Sequence, residues 1–434
     1  MDKQIPITEK KESKAVLMGS GGMIQPFFGE FLISPAALEW SLNYCSHACA
    51  YCFANLNSPT RKGDASKAMR QVAEIGRRAT LTDLYLRNKY PVCIANKTDA
   101  FSESNYRETL PVIDALKEAG VPIQFQTKGG KGIDQALDGL PPSVWYITVC
   151  QNDDAIRKRI EPNAPSIDER LDLMVKLTEM GHIVVAGVNP AVPEWLPEPE
   201  ELMEDLAAAG CTGAWIEALH LSHKQLQFMP DPVKRKIGAG PIKRAFLMRK
   251  EMSAEESAYL IRCMEAAKGA GMAAYSHGHP EPSEYFAPWR TLYPATLPII
   301  QDFANACHDL GFDETRLLSF DDYIETLEAA ATPFLKGKQR IGDYMRVASY
   351  RTIENIKNWS DHLTFRQLLW FAWNNPGNKL CPASHTNFAV AARPDENGEP
   401  ILLTDDNGCP YYVFVPFGTD DKFVHYTGEK FDVE

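Results

Sequence analysis

The sequence predicts an α/β fold of parallel βα units, continued by a mixed, mainly α C-terminal extension. Three observations predict it. Short apolar blocks alternate with amphipathic segments from residue 31 to about 223; a glycine follows several of the helical segments at the turn back into the sheet; and the pattern changes after Leu219. Strand and helix patterns alternating in this way imply helical crossovers between strands, and therefore parallel pairing.

Residues 1–30 are polar and then Gly-rich (Gly19, Gly21, Gly22), and read as an N-terminal arm packing loosely on the body. Leu38–Tyr44 is the first strand and leads straight into a cysteine-bearing loop. Met69, Val72, Ala73 and Ile75 give 66–79 helical spacing. Tyr90–Ala95 is the second strand and 106–119 a helix, closed by Gly120 as a C-cap. Val121–Gln126, Val144–Val149, Ile183–Val188 and Ala214–Leu219 complete six strands, with helices over 167–180 and 199–209 closed by Gly181 and Gly210.

Beyond this series, residues 224–250 carry Lys224, Lys234, Arg235, Lys236, Lys243, Arg244, Arg249 and Lys250 against one acid, Asp231. Pro230, Pro232, Gly238, Gly240 and Pro241 make the segment loop-like. Residues 252–271 read as a helix with Ser253 and Glu256 as a capping box. Residues 290–375 are mainly helical in pattern, with Trp359, Trp370, Phe371 and Trp373 as expected core. Residues 380–430 turn β-like, Asn387–Arg393 and Tyr411–Pro416 flanking a turn-rich stretch. The expected organisation is an arm (1–30), a parallel βα body (31–223), a basic loop segment (224–251) and a C-terminal α+β substrate region (252–434).

Lys plus Arg number 45 and Asp plus Glu 57, a formal charge of −12 that argues against a uniformly nucleic-acid-coating surface but allows a local basic patch. No apolar run of about 18 residues is present, so no membrane partner is expected. The first fourteen residues lack the apolar stretch of a secretory signal. Ten cysteines without an export signal fit a reducing compartment, where metal binding outranks disulfides. The expectation is a soluble, cytoplasmic protein.

Chemistry concentrates in Asn43–Phe53, Asn-Tyr-Cys-Ser-His-Ala-Cys-Ala-Tyr-Cys-Phe, where Cys45, Cys49 and Cys52 stand in CxxxCxxC spacing. A cubane [4Fe–4S] cluster takes cysteine thiolates, one per iron. Three thiolates leave one iron open, and an open position on a metal is a place for chemistry. The alternatives are a zinc site or a dithiol couple at Cys49 and Cys52. Zinc would need a second pair of ligands, and Cys381, His385 and Cys409 lie far along the chain. A non-catalytic iron–sulfur or zinc protein is therefore the competing class. His277 and His279, in Ser-His-Gly-His-Pro, invite a metal or substrate-contact reading.

CxxxCxxC with an aromatic before its last cysteine resembles the radical S-adenosylmethionine (radical SAM) superfamily. Four further segments resemble its spore photoproduct lyase and DNA-photolyase-like branch: Asn96-Lys97-Thr98-Asp99, Thr127-Lys128, Glu161-Pro162-Asn163-Ala164-Pro165 with Arg170-Leu171, and Asn189-Pro190. The resemblance covers about residues 38–195. It implies a partial (β/α)6 TIM-like barrel, a [4Fe–4S] cluster on Cys45, Cys49 and Cys52, and SAM completing the open iron to yield a 5′-deoxyadenosyl radical. It also implies an external one-electron reductant of the flavodoxin or ferredoxin type. Tyr51, Thr98, Asp99, Lys128, Thr148 and Asn189 become candidate SAM contacts. Residue by residue, Lys128 could pair a carboxylate or be a solvated rim lysine, Thr98 and Asp99 could be loop caps, and Glu161 could fix its loop by bonding Arg170. Where the branch has a hydrogen-donating cysteine, this chain has Asn96 or Lys97, and Cys93 and Cys150 do not align with it. A rearrangement or hypermodification of a thymine-derived base in DNA is expected over dimer repair. A peptide or small metabolite is the alternative substrate. Lys234, Arg235 and Lys236 are the candidate phosphate contacts.

Overall fold

In the computed structural model, which describes residues 22–26, 38–52, 64–78, 81–221, 223–245, 253–276, 291–293, 310–313, 315–331, 370, 373–374, 388–414 and 424–426, the apolar blocks pair in chain order. A short strand β1 (Gln25–Pro26) runs antiparallel to β2 (Leu38–Trp40). From β2 onward β3 (Val92–Ile94), β4 (Ile123–Thr127), β5 (Val144–Thr148), β6 (Ile183–Ala191), β7 (Gly213–Ala218) and β8 (Ala273–Tyr275) each pair in parallel with the one before. Among the described residues the sheet is open: its order is β1 to β8, with no bond from β8 back to β2. The seven parallel strands among the described residues are one more than the sequence predicts. The extra strand, β8, is a three-residue Ala-Ala-Tyr run too short to stand out, and it carries the sheet well past residue 223.

The crossovers are α1 (Ser66–Ala73), α2 (Leu81–Arg87), α3 (Tyr106–Glu118), α4 (Ile133–Leu137), α5 (Asp154–Ile160), α6 (Ile167–Glu179) and α7 (Pro199–Ala208). Then come α8 (His223–Phe228), α9 (Asp231–Ile237), α10 (Ala239–Arg244) and α11 (Ala254–Gly269). Helix α6 opens with a full capping box, Ser166 accepting from the Glu169 amide while Glu169 reaches back to the Ser166 amide. The basic segment is thus largely helical where described, not a loop. Pro232 lies in the first turn of α9 and Pro241 in that of α10, where a missing N–H breaks no helical bond. Gly238, at φ 100°, makes the break between them.

Strand alternation gives the sheet two unlike faces. One face presents the row Trp40, Ile94, Phe125, Trp145 and Val184 across five strands, and it packs with Val112, Leu116, Met174, Leu177, Leu202 and Leu260 of the helices. The other presents Glu39, Cys93 and Gln124 in one row, Gln126 and Tyr146 in the next, and Thr148, Gly187, Trp215 and Tyr275 above that. Most of these side chains are buried although many are polar. An apolar outside under helices and a buried polar inside are what a curled, partly closed barrel requires. Tyr293 plugs the lower end, its hydroxyl donating to the Ile123 carbonyl (2.8 Å) and accepting from the Val144 amide (2.7 Å).

The arm is more firmly held than expected where it is described. The Ile24 amide and carbonyl are both bonded by the Gln71 side chain, and Trp40 Nε1 donates to the Gly22 carbonyl at 3.0 Å. At the C-terminal end, α12 (Phe320–Ala331) is followed by β9 (Phe388–Pro394), β10 (Pro400–Leu402), β11 (Tyr412–Phe414) and β12 (Val424–Tyr426), with β9 central. Trp373 is fully buried against Tyr323 and Tyr412, as expected, but Trp370 is 51% exposed. An aromatic at helical spacing is core only where a neighbour covers it. Trp359 and Phe371 lie outside the described residues.

Candidate active site

The cysteine loop leaves the C-terminal end of β2, where parallel α/β sheets build their sites. It is strapped down along its length. Asn105 Nδ2 donates to the Tyr44 carbonyl (2.7 Å), Ser46 and Ser104 exchange amide-to-hydroxyl bonds, and Asn163 Nδ2 donates to the Ser46 carbonyl (2.9 Å). The Ala50 amide donates to the Ile160 carbonyl at 2.7 Å and the Cys52 amide to the Cys49 carbonyl at 3.1 Å. Ala48, with φ 55°, makes the reversal between the first two cysteines. The loop is thereby fixed to the segment after α5, over a hundred residues away in sequence.

Beneath it lies Glu161, fully buried. Its carboxylate accepts from the Tyr51 hydroxyl, from Arg170 Nη2 and from Gln151 Nε2 (3.3 Å), with Lys128 Nζ 3.8 Å away. Arg170 is itself buried and donates to the Thr148 and Pro165 carbonyls at 2.8 and 3.1 Å. Burial alone would push the Glu161 carboxyl up; Arg170 and Lys128 overcome it and hold the group at about 2. Burial likewise opposes the charge on Lys128, and Glu161 beside it wins, raising the ammonium to about 12. Lys128 also stands 5.7 Å from the Tyr51 ring centre, a cation–π distance. The expected Glu161–Arg170 bond is present. Tyr51 and Lys128 converge on the same carboxylate, which the sequence does not suggest.

A second buried pair braces the loop from the other side. His47 Nε2 lies 3.3 Å from Asp99 Oδ2, and His47 Nδ1 faces the Asn163 carbonyl at 3.1 Å. Asp99 accepts from Thr127 Oγ1 (2.7 Å) and from the Phe101 and Lys128 amides (3.0 and 2.6 Å). Burial disfavours its charge, but His47 and these donors hold the carboxyl below its ordinary range. Thr98 donates to the Leu42 carbonyl at 2.8 Å. Thr148 lies on the inner face and Asn189 at the end of β6. Lys97 and Asn96, at the place of the absent thiol, both bond Glu39. Cys150, which does not align with that thiol, lies with its sulfur 3.7 Å from the Tyr51 hydroxyl.

Cys45, Cys49 and Cys52 form no disulfide; Cys45 is buried and the other two are half-buried. Among the described residues no three His, Cys, Asp or Glu side chains form a closed metal-ligating group. The donor chemistry nevertheless fits an iron–sulfur cluster: three sulfurs on one strapped loop, charge-coupled to one another, with the Lys128 cation offsetting Cys49. Burial pushes the Cys45 thiol up to about 12, so metal, not the protein environment, would be what deprotonates it.

The basic helices sit against this loop. Ala50, Ile160, Trp195, Met229 and Ile237 share one cluster, with Tyr51 and Val233 packed on it. Arg235 and Lys236 project from α9 exposed, Lys234 lies 3.7 Å from Asp231, and Arg244 pairs with Glu194. His277, His279, Cys381 and His385 lie outside the described residues; Cys409 is buried, its sulfur 2.9 Å from Asn374 Oδ1. On the inner face, Glu217 is paired with His220 at 3.0 Å, which no sequence pattern announces.

No protein-family model matches the chain. Uncharacterized proteins of Mycobacterium bovis and Mycobacterium tuberculosis are each 28% identical over 195 residues, 41% of this chain. The chain spans just over half (56%) of their length. Among solved structures, spore photoproduct lyase complexed with its dinucleoside photoproduct has a TM-score of 0.43 at 17% identity, over 58% of this chain and 78% of that one. Streptococcus suis SuiB bound to its precursor peptide SuiA has 0.37 at 12%, over 58% and 50%. Methylornithine synthase has 0.31 at 12%, over 56% and 71%. The likeness is to part of the fold of each of these structures. Among the described residues no helix is long and apolar enough to cross a membrane.

Proposed function

We propose that this chain is a radical SAM enzyme whose Cys45, Cys49 and Cys52 hold a [4Fe–4S] cluster, and that it acts on a thymine-derived base in DNA. The observation that carries the first part is the strapping of the three-cysteine loop over the buried Glu161–Arg170–Lys128 charge set, at the C-terminal ends of parallel strands. With SAM on its open iron, such a cluster supplies a 5′-deoxyadenosyl radical. The protein's part is to hold and to exclude. Glu161 fixes Tyr51 and Lys128, Asp99 fixes His47 and the turn into Lys128, and the buried inner face keeps water from a reactive carbon. Lys128 offers its charge to an anionic group on SAM.

The DNA part is supported by α9, whose Val233 and Ile237 pack on the same apolar cluster as Tyr51 while its Arg235 and Lys236 are exposed. The reaction on the base is read as a rearrangement, hypermodification or bond cleavage, with an external flavodoxin- or ferredoxin-type reductant. Anaerobic reconstitution tests the core of this reading. Wild type is expected to bind ~4 iron per chain and to release 5′-deoxyadenosine on reduction with SAM; Cys49→Ala should lose both. Protein that takes up zinc and never cleaves SAM would overturn it.

A further inference from the structure

The inner face also carries polar atoms that the fold does not use. Tyr146 is 4% exposed, and its ring lies across Gly187, where a Cβ would sit 2.2 Å from Tyr146 Cζ. Only glycine allows that placement. The Tyr146 hydroxyl is buried without a geometrically sound hydrogen bond, facing Asn189 and Glu217. Glu217, 2% exposed at the end of β7, has its Oε1 3.0 Å from His220 Nε2. Ser276, directly after β8, is 1% exposed with its hydroxyl also unpartnered. One rung below, Trp215 and Tyr275 meet edge to face at 4.7 Å and form an aromatic wall. Buried donors and acceptors left unpaired are costly, so each needs a reason to persist. Tyr146, Asn189, Glu217 and Ser276 lie on, or directly after, four adjacent strands, and Cys150, two residues past the end of β5, has its sulfur 3.7 Å from the Tyr51 hydroxyl. The Tyr146 end of this set therefore lies toward the cysteine loop.

We propose that Tyr146, Asn189 and Glu217, with His220 orienting Glu217, form the subsite that reads the planar imide edge of the substrate. The Glu217 carboxylate accepts the imide N–H, and the Tyr146 hydroxyl and Asn189 amide donate to the carbonyls on either side of it. An acceptor flanked by donors is the complement of that edge. The subsite names substrate-reading residues within the function proposed above and rests on that reading: thymine carries such an edge at N3, and so do its 5-substituted derivatives.

The test uses reconstituted full-length protein and a fluorescein-labelled single-stranded oligothymidylate, with N3-methylthymidine replacing thymidine in a second probe. Wild type should bind the unmodified probe about tenfold or more tighter, the loss expected when one buried hydrogen bond is left unpaired. Glu217→Leu, which removes the acceptor, should narrow that ratio to near one, and Tyr146→Phe, which removes a donor to a carbonyl that both probes carry, should weaken both probes alike, with iron content and Tm checked alongside. Equal binding of the two probes by wild type overturns the subsite and leaves the nucleic-acid reading intact. A folded Glu217→Leu variant that keeps the full ratio, or a folded Tyr146→Phe variant that binds both probes as tightly as wild type, overturns it as well. Wild type that binds neither probe overturns both. Should the variants fail to fold, the wild-type ratio still decides.

Discussion

The wall of the barrel that carries the cysteine loop and the wall formed by β5 to β8 are both buried and both polar, yet they are finished differently. On the first, Glu161 accepts three hydrogen bonds and Asp99 accepts three more besides its contact with His47. On the second, the hydroxyls of Tyr146 and Ser276 make no hydrogen bond of sound geometry. A carboxylate as deep as Glu161 is tolerable only when its charge and lone pairs are answered from within the protein. The first wall answers its buried carboxylates from within the protein, although His47 Nε2 and Gln151 Oε1 beside them lack a hydrogen bond of sound geometry, and the second leaves two hydroxyls open.

Breaking the finished wall should have the largest effect. Glu161→Gln strands the Arg170 charge in the interior, and removing one partner of a buried pair costs about 3–5 kcal/mol. Thermal unfolding should show that loss, and reconstitution should show a cysteine loop that no longer takes up iron. A double Glu161→Leu, Arg170→Met variant should regain part of the stability but not the iron. A Glu161→Gln protein as stable as wild type would remove the distinction between the walls.

Changing the unfinished wall should cost less stability and more recognition. Gly187→Ala drives a methyl into the Tyr146 ring, and overpacking of that kind costs about 1–3 kcal/mol. Iron uptake should survive, and the preference for the unmodified thymidine probe should fall. The smallest effect on folding belongs outside both walls. Replacing Lys234, Arg235 and Lys236 by Gln should leave stability within about 0.5 kcal/mol, as for surface positions generally. DNA affinity should fall, and its salt dependence should flatten by about 0.9 in log–log slope for each phosphate no longer neutralised. An unchanged slope would separate α9 from nucleic acid altogether.

The parallel body was legible because its signals are local. Gly120, Gly181 and Gly210 all adopt positive φ at the helix ends where the sequence places them, and each apolar block became a strand within a few residues. The Glu161–Arg170 pair was legible for the same reason, nine residues apart on one turn and helix. What sequence spacing could not show are contacts made by the curl of the sheet. His47 meets Asp99 across 52 positions and Tyr51 meets Glu161 across 110. The polar inner face was hidden because Val144–Thr148 reads as one apolar block, although Tyr146 and Thr148 point the opposite way from Trp145 and Ile147. Helices α9 and α10 were missed because Pro232 and Pro241 read as breakers and are in fact helix starters.

If Cys45, Cys49 and Cys52 hold the cluster with no help from another side chain, one iron is left for SAM. Electron paramagnetic resonance of the reduced, reconstituted protein, recorded with and without SAM, reads that open iron. A [4Fe–4S] signal is expected that shifts when SAM is added and disappears in the Cys45→Ala, Cys49→Ala and Cys52→Ala variants. A signal that ignores SAM, and that vanishes on replacing a fourth side chain of this polypeptide, would contradict the three-cysteine site.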